Sequence, residues 1–239
     1  MKLKIDLHVH TNHSDGNGSV KEVLMAAYKK GLNGIAITDH ETTKGFFEAK
    51  DYAKKLKLIV IPGFELKTDA GHILALGVKW NPWGKKRAIY EDAVEWLRSE
   101  GGISIIAHPA TKIHGINRWI KEKPDAIEAI NSNYPLKFML RRGLKMALKV
   151  NVPMTAGSDA HQPECIGNAY TIIDADGEGV EEILEAIRMG RVKITGRLSS
   201  IRSRISIAFK QILYRDGGNE IINDWGLGIN FELDIHCNS

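Results

Sequence analysis

The sequence predicts an α/β fold with a mainly parallel sheet. Short apolar or β-branched runs alternate with stretches of helical spacing from residue 3 to residue 195. Several helical stretches carry start or stop signals of their own. The length, 239 residues, suits one α/β unit, since barrels of this class run to about 250 residues as a single domain.

In chain order, residues 3–9 read as the first strand. Ser19-Val20-Lys21-Glu22 is a capping box that opens a helix through Lys30, closed by Gly31. A strand follows at 34–38, a helix at 44–55, and strands at 58–61 and 73–78. The pattern continues with a helix at 88–99, strands at 103–107 and 126–130, and a helix at 136–149. Strands at 152–156 and 169–173 precede a helix at 179–189, which Gly190 closes. Residues 191–195 form a weaker strand. No repeat, low-complexity tract or linker divides this stretch.

Residues 1–196 are therefore expected to form one domain, with 197–239 as a C-terminal extension. In the extension Leu198, Ile201, Ile205, Phe209, Ile212 and Leu213 fall on one helical stripe. Arg197, Arg202, Arg204, Lys210 and Arg215 lie largely off it. A terminal helix packed on the first domain is expected. A partner-binding or membrane-surface helix is the sharper alternative. The tail after Asp216-Gly217-Gly218 has no assignable role.

An apolar share of 43% and a charged share of 26% exclude a mostly disordered or collagen-like chain. No apolar run approaches the roughly 20 residues of a membrane-spanning helix. Asp6 interrupts any apolar leader, and two cysteines make no disulfide framework, so a cytoplasmic protein is expected. The net charge of +4 permits a phosphate-bearing partner without arguing for one.

The histidines are more telling. In Asp6-Leu7-His8-Val9-His10, alternation along a strand puts Asp6, His8 and His10 on one face. A lone His-x-His is a weak signal, but other metal-type residues keep it company. Asp15 sits in a loop, Thr38-Asp39-His40 closes one strand, and Pro62-Gly63-Phe64-Glu65 follows another. Ala107-His108-Pro109 and Ser158-Asp159-Ala160-His161 do the same further on. Each lies just past an apolar run, the place where the catalytic face of a β/α barrel forms. Imidazole and carboxylate suit Mn, Fe and Zn, and the absence of cysteine argues against a structural zinc site. His72 differs, because it opens an apolar run instead of closing one.

This ordered set resembles the PHP (polymerase and histidinol phosphatase) superfamily over roughly residues 3–195. The resemblance implies a distorted (β/α)7 TIM-like barrel with two or three divalent ions, Mn, Zn or Fe. It implies one ion on His8, His10, Glu65 and Asp159, and a second on Asp15, His40 and His161. A third would lie on Glu65, as a bridge, with His72 and His108. Asp6 and Asp39 are expected behind the ligands, orienting imidazoles.

The implied activity is hydrolysis of phosphoesters by metal-activated hydroxide, with Asp15, His40, Glu65, Asp159 and His161 as the catalytic set. The substrate class is a small phosphomonoester or a nucleotide or oligonucleotide end. Three carboxylates against three divalent ions would leave the loaded pocket net positive, which favours a phosphate dianion. His13, Lys112 and Arg118 are candidate substrate contacts, with solvated loop positions as their plainer reading. His114, Asn131 and Asn133 share that ambiguity. Cys165 reads as a small buried residue, and Lys85-Lys86-Arg87 and Arg141-Arg142 as solvated charge runs. An amidohydrolase-like hydrolase and a non-catalytic PHP-like binding module are the alternatives. Glu65 stands where many amidohydrolases place a carboxylated lysine, and the ligand set is intact. Both points favour the phosphoesterase.

Overall fold

The computed structural model describes residues 1–111, 115–116, 120–201 and 203–204. Ten strands and five α-helices follow in the order β1 (Lys2–Val9), α1 (Val20–Lys29), β2 (Gly34–Ile37), α2 (Lys44–Leu56), β3 (Ile59–Ile61), β4 (Gly63–Thr68), β5 (Gly71–Leu76), α3 (Tyr90–Ser99), β6 (Ile103–Ile106), β7 (Ala126–Asn131), α4 (Lys137–Val150), β8 (Met154–Gly157), β9 (Ala169–Asp174), α5 (Val180–Arg188) and β10 (Val192–Gly196). The α/β class stands. The capping box at Ser19 forms as expected: Glu22 N donates to Ser19 Oγ, and Ser19 N donates to Glu22 Oε2.

The sheet is not mainly parallel. The strands form two five-stranded sheets, β10-β9-β1-β2-β3 and β4-β5-β6-β7-β8. Parallel pairs β1–β2 and β2–β3 in one, and β6–β7 and β7–β8 in the other, are balanced by antiparallel pairs. Those are β1–β9, β9–β10, β4–β5 and β5–β6. The physical reason is the connections. β4 and β5 are joined by a tight turn with no crossover helix, so they can only run antiparallel. The sheets meet at isolated parallel bridges, Val9 with Ala160 on one side and His40 with Glu65 on the other.

One apolar cluster lies between the sheets. Leu3, Ile5 and Leu7 of β1 meet Leu74, Leu76, Ile103 and Ile105 of the second sheet, joined by Ile183, Leu184 and Ile187 of α5. Burial of each such side chain stabilises by about 1.5–3 kcal/mol. Two further clusters pack α3 on the second sheet and α1 and α2 on the first. The strand ends carrying the polar residues are thus held from below by apolar packing.

Among the described residues just past Gly196, Arg197 to Ser199 stay on the body of the protein. Arg197 N donates to Asn168 O, Ser199 N donates to Ser132 O, and Leu198 packs against Tyr134 and Met139. Ile201, on the same predicted stripe, is exposed. The remainder of that stripe, Ile205, Phe209, Ile212 and Leu213, lies outside the described residues.

Candidate metal centre

β1 brings His8 and His10 to one point because alternate residues of a strand share a face. Both imidazoles are fully buried, with their Nε2 atoms 3.1 Å apart. Glu65 Oε2 is 3.4 Å from each, and Asp159 Oδ1 is 3.4 Å from His8 Nε2 and 3.3 Å from His10 Nε2. On one side, Asp15 Oδ2 lies 3.1 Å from His161 Nε2 and 3.5 Å from His40 Nε2. On the other, Glu65 Oε1 lies 2.8 Å from both His72 Nδ1 and His108 Nε2. All nine residues expected as ligands converge on one place. The groups that could hold an ion are His10-Asp15-His40-His161, His8-Glu65-His108, His8-His10-Asp159 and His40-Glu65-His72.

The donor set fits cations. His161 Nδ1 is 2.9 Å from the Asp159 carbonyl, which only accepts, so in the neutral ring Nε2 is a lone pair. That lone pair faces the Asp15 carboxylate. His8 repeats the arrangement: Nδ1 is 2.9 Å from Glu128 Oε1, so Nε2 turns its lone pair toward Glu65 and Asp159. Acceptors facing acceptors in a buried site require a positive charge between them. Protons would supply it in the absence of metal. Burial opposes charge on His8, but Asp159, Glu128 and Glu65 outweigh it and hold its pKa well above the usual imidazole range. The same contest lifts His10 to about 10. Burial would raise Glu65, yet His40, His72 and His8 hold it well below the usual carboxylate range. His72 is the exception: burial dominates and pulls it to about 3, which keeps it neutral.

β5 explains the odd position of His72. It runs antiparallel to β4 and β6, so its first residues lie at the same end as the last residues of its neighbours. A ligand-type residue on such a strand must open the apolar run.

Two expectations are corrected. Glu65 does not follow the strand at 59–61; it lies inside β4, which the Pro62-Gly63 break concealed. Asp6 and Asp39 do not orient imidazoles. Asp6 accepts from the backbone N–H groups of Ser158, Gly167 and His8, and Asp39 from Thr11 N, Thr11 Oγ1 and Ser14 Oγ. They fix the loops that carry Asp159 and His161 and that lead to Asp15. Burial raises Asp6 to about 6 despite those bonds.

The residue that does orient an imidazole is Glu128, which sequence reasoning missed. It is buried in the middle of β7, with Oε1 on His8 and Oε2 accepting from His108 N at 2.8 Å and Asn131 Nδ2 at 2.9 Å. Its signal was a lone charge inside Ala126-Ile127-Glu128-Ala129-Ile130. A Cβ at Gly157 would come within 2.5 Å of Glu128 Oε1, so only glycine fits beside it. His108 (φ 29°) and Asp159 (φ 52°) both hold left-handed backbone conformations. Strain of that kind costs about 1–3 kcal/mol per residue and persists where surrounding contacts enforce it. Asn133 donates to the Asp159 carbonyl and Asn131 to Asp159 Oδ2 at 3.2 Å, so both asparagines reach the site.

A cavity of about 640 Å³ opens above the centre, its wall including His13, Glu41, Lys44, Lys67 and Lys85. His13 Nε2 is 2.7 Å from Glu48 Oε2 on the rim. Lys112, His114 and Arg118 lie outside the described residues. Cys165 is fully buried away from the ligands, among the apolar residues of the α1–α2 side.

A family model described as "PHP domain" matches residues 6–142, and one described as "PHP-associated" matches residues 140–192. A phosphoribosyl 1,2-cyclic phosphate 1,2-diphosphodiesterase of Eggerthella lenta is 38% identical over 80 residues, 31% of this chain and 30% of that protein. A 3′,5′-nucleoside bisphosphate phosphatase of Chromobacterium violaceum is 35% identical over 132 residues, 52% of this chain and 45% of that protein. The matched region thus spans less than half the length of either relative. Among solved structures, a two-domain protein from Bacteroides vulgatus, titled as containing a predicted PHP-like metal-dependent phosphoesterase, superposes with a TM-score of 0.71 at 23% identity. That match covers 82% of this chain and 65% of that one, and it concerns the fold.

Proposed function

The chain belongs to the PHP domain family, and from that premise we propose that it is a metal-dependent phosphoesterase. The observation that carries the reading is the buried confrontation of lone pairs with carboxylates at His8, His10, Glu65 and Asp159, extended by Asp15, His40 and His161 on one flank and His72 and His108 on the other. His8, His10, Glu65 and Asp159 would hold one divalent ion, and Asp15, His40 and His161 a second. Glu65 with His72 and His108 would hold a third. Mn, Zn and Fe suit this donor set. Ions bound there would lower the pKa of water toward about 7 and neutralise phosphoryl charge.

The protein's own groups supply the placement. Glu128 holds His8 in one tautomer and the Asp159 carbonyl does so for His161. Asp6 and Asp39 tie down the loops at 158–167 and 11–14. His13, on the cavity wall, would meet the substrate. The substrate class is a phosphorylated small molecule or a nucleotide or oligonucleotide end, in keeping with relatives named for nucleotide and cyclic-phosphate hydrolysis. A cytoplasmic site of action, where such compounds occur, and a unit ending near residue 196 belong to the same proposal.

The test is phosphate release from a nucleoside monophosphate, a 3′,5′-bisphosphate and a short oligonucleotide by protein loaded with Mn²⁺, Zn²⁺ or Fe²⁺. Release abolished by EDTA and by Asp159→Ala is the expected result. No release from any of them with any metal would overturn the reading.

A further inference from the structure

The run Lys85-Lys86-Arg87, read from sequence as a solvated charge run, belongs to a loop with more structure than solvation requires. The segment 77–89 joins β5 to α3 and forms part of the cavity wall through Gly84 and Lys85. Asn81 straps it down. Its Nδ2 donates to the Gly84 carbonyl at 2.8 Å and to the Glu41 carbonyl at 3.1 Å, and its Oδ1 accepts from Trp83 N at 2.9 Å. Thr43 Oγ1 donates to the Lys79 carbonyl, which ties the loop to the start of α2.

Three tryptophans make its outer face. Trp96 of α3 packs on buried Phe64, and Trp80 and Trp83 each meet Trp96 edge-to-face, at 5.4 and 5.2 Å. Trp80 Nε1 donates to Glu100 Oε2. The indole is anchored from two directions, yet Trp80 remains 52% exposed. An immobilised aromatic surface costs little further entropy when something stacks on it.

Cations gather on this loop and on the adjoining cavity wall. Lys79, Lys85, Lys86 and Arg87 are exposed on the loop, and Lys44 and Lys67 line the same cavity. Among the described residues, none of Lys44, Lys67 and Lys85 has an ion-pair partner. Three nearby carboxylates have hydrogen-bond partners of their own: Glu41 accepts from Lys67 N and Asn81 and also feels the Lys67 charge, Glu48 meets His13, and Glu100 accepts from Trp80. Unpaired cations beside a fixed aromatic platform are the chemistry that holds a phosphate backbone while bases stack.

We propose that the β5–α3 loop, with Lys44 and Lys67, is a binding surface for single-stranded polynucleotide that leads its end into the metal pocket. This deepens the phosphoesterase reading by choosing an oligonucleotide end over a small phosphomonoester, and it rests on that reading for the reaction. Lys85, Lys86 and Arg87 meet successive phosphates, and Trp80 stacks on a base.

The experiment is fluorescence anisotropy, on the metal-loaded protein, of labelled single-stranded DNA and RNA of about ten nucleotides with hydrolysis-resistant phosphorothioate linkages, so that binding is read without turnover. Wild-type protein is expected to bind one or both. Trp80→Ala and Trp80→Leu should each weaken binding about tenfold, while Trp80→Phe, which keeps a π face, retains most of it. Lys85→Ala/Lys86→Ala/Arg87→Ala should lower the slope of log affinity against log salt by about 2, at roughly 0.7 per phosphate contact. Inorganic polyphosphate should bind more weakly than either oligonucleotide. Absent binding at low salt, wild-type affinity in all variants, equal affinity of Trp80→Leu and Trp80→Phe, or polyphosphate binding as tight as the oligonucleotides would each overturn the proposal. Wild-type hydrolysis of a mononucleotide without oligonucleotide binding would remove this inference and leave the phosphoesterase standing. Oligonucleotide binding without hydrolysis of any phosphoester would do the reverse.

Discussion

The floor of the cavity and its rim are built on opposite principles. On the floor the polar groups crowd against one another: Glu65 alone meets His8, His10, His40, His72 and His108 within 3.4 Å. On the rim, Lys44, Lys67 and Lys85 are exposed, and Trp80 on the adjoining β5–α3 loop is 52% exposed. A network in which each member satisfies several others tolerates no loss, because removing one leaves buried charge behind. A rim of independent surface groups changes by small steps. On the proposed reading the floor would set whether chemistry occurs, and the rim on what.

The strongest way to break this contrast is at its centre. Glu65→Ala is expected to lower turnover at least about a thousandfold, since it removes the carboxylate proposed to bridge two ions, worth several kcal/mol of metal stabilisation. Metal content measured on the purified variant should fall with it. Full activity with wild-type metal loading would contradict the floor as described. Chelation tests the same region without mutation. An ion present at about 1,000 times its Kd stabilises the fold by about 4 kcal/mol, which at roughly 2–4 °C per kcal/mol is a drop of about 10 °C in Tm on its removal. Differential scanning fluorimetry before and after verified metal removal gives the shift, and an unchanged Tm rejects it.

A finer cut separates two buried carboxylates that the sequence alone would class together. Glu128 touches the His8 ring, whereas Asp6 bonds to the backbone N–H groups of Ser158, Gly167 and His8 and to the Ser158 side chain, and to no ring. Glu128→Gln should weaken metal binding about 10–100-fold, read by competition with a chelating dye. Asp6→Asn should leave the metal affinity of the folded protein near wild type and instead cost about 1–3 kcal/mol of stability through a mispaired backbone donor. Equal effects on metal affinity would erase the distinction between orienting a ring and orienting a loop.

The same distinction shows what was legible in the sequence. Parallel strands deliver ligands just past their apolar runs, so His40, His108, Asp159 and His161 stood out by position alone. β1 was legible because a period of two puts His8 and His10 on one face. The β4–β5 hairpin was not, because Pro62-Gly63 reads as a break and Lys67 breaks the apolar pattern of a strand whose other residues are all buried. That one missing hairpin hid the antiparallel half of the second sheet, misplaced Glu65 and left His72 without a reason. Glu128 was visible only as an oddity, since its partner His8 is 120 residues away and only folding pairs them. Trp80 and Trp83 of the β5–α3 loop gave no periodic signal, because an irregular loop has none.

The smallest expected effect concerns His13, where floor and rim meet. Its Nε2 lies 2.7 Å from Glu48 Oε2, but the two side chains are 26% and 50% exposed. Solvent screens such a pair, so its loss should change stability by only about 0–1 kcal/mol. Removing His13 also leaves the ligands in place, because its hydrogen bonds run to Glu48 and to Thr11 Oγ1 and not to the imidazole cluster. His13→Ala is therefore expected to keep Tm within about 2–4 °C of wild type and to retain full metal content, while raising KM severalfold with a smaller change in kcat. Steady-state kinetics on an oligonucleotide and a mononucleotide would check it. A collapse of kcat at unchanged metal content would move His13 from the rim into the reacting machinery, and the division between a floor that performs chemistry and a rim that chooses substrate would no longer run between these residues.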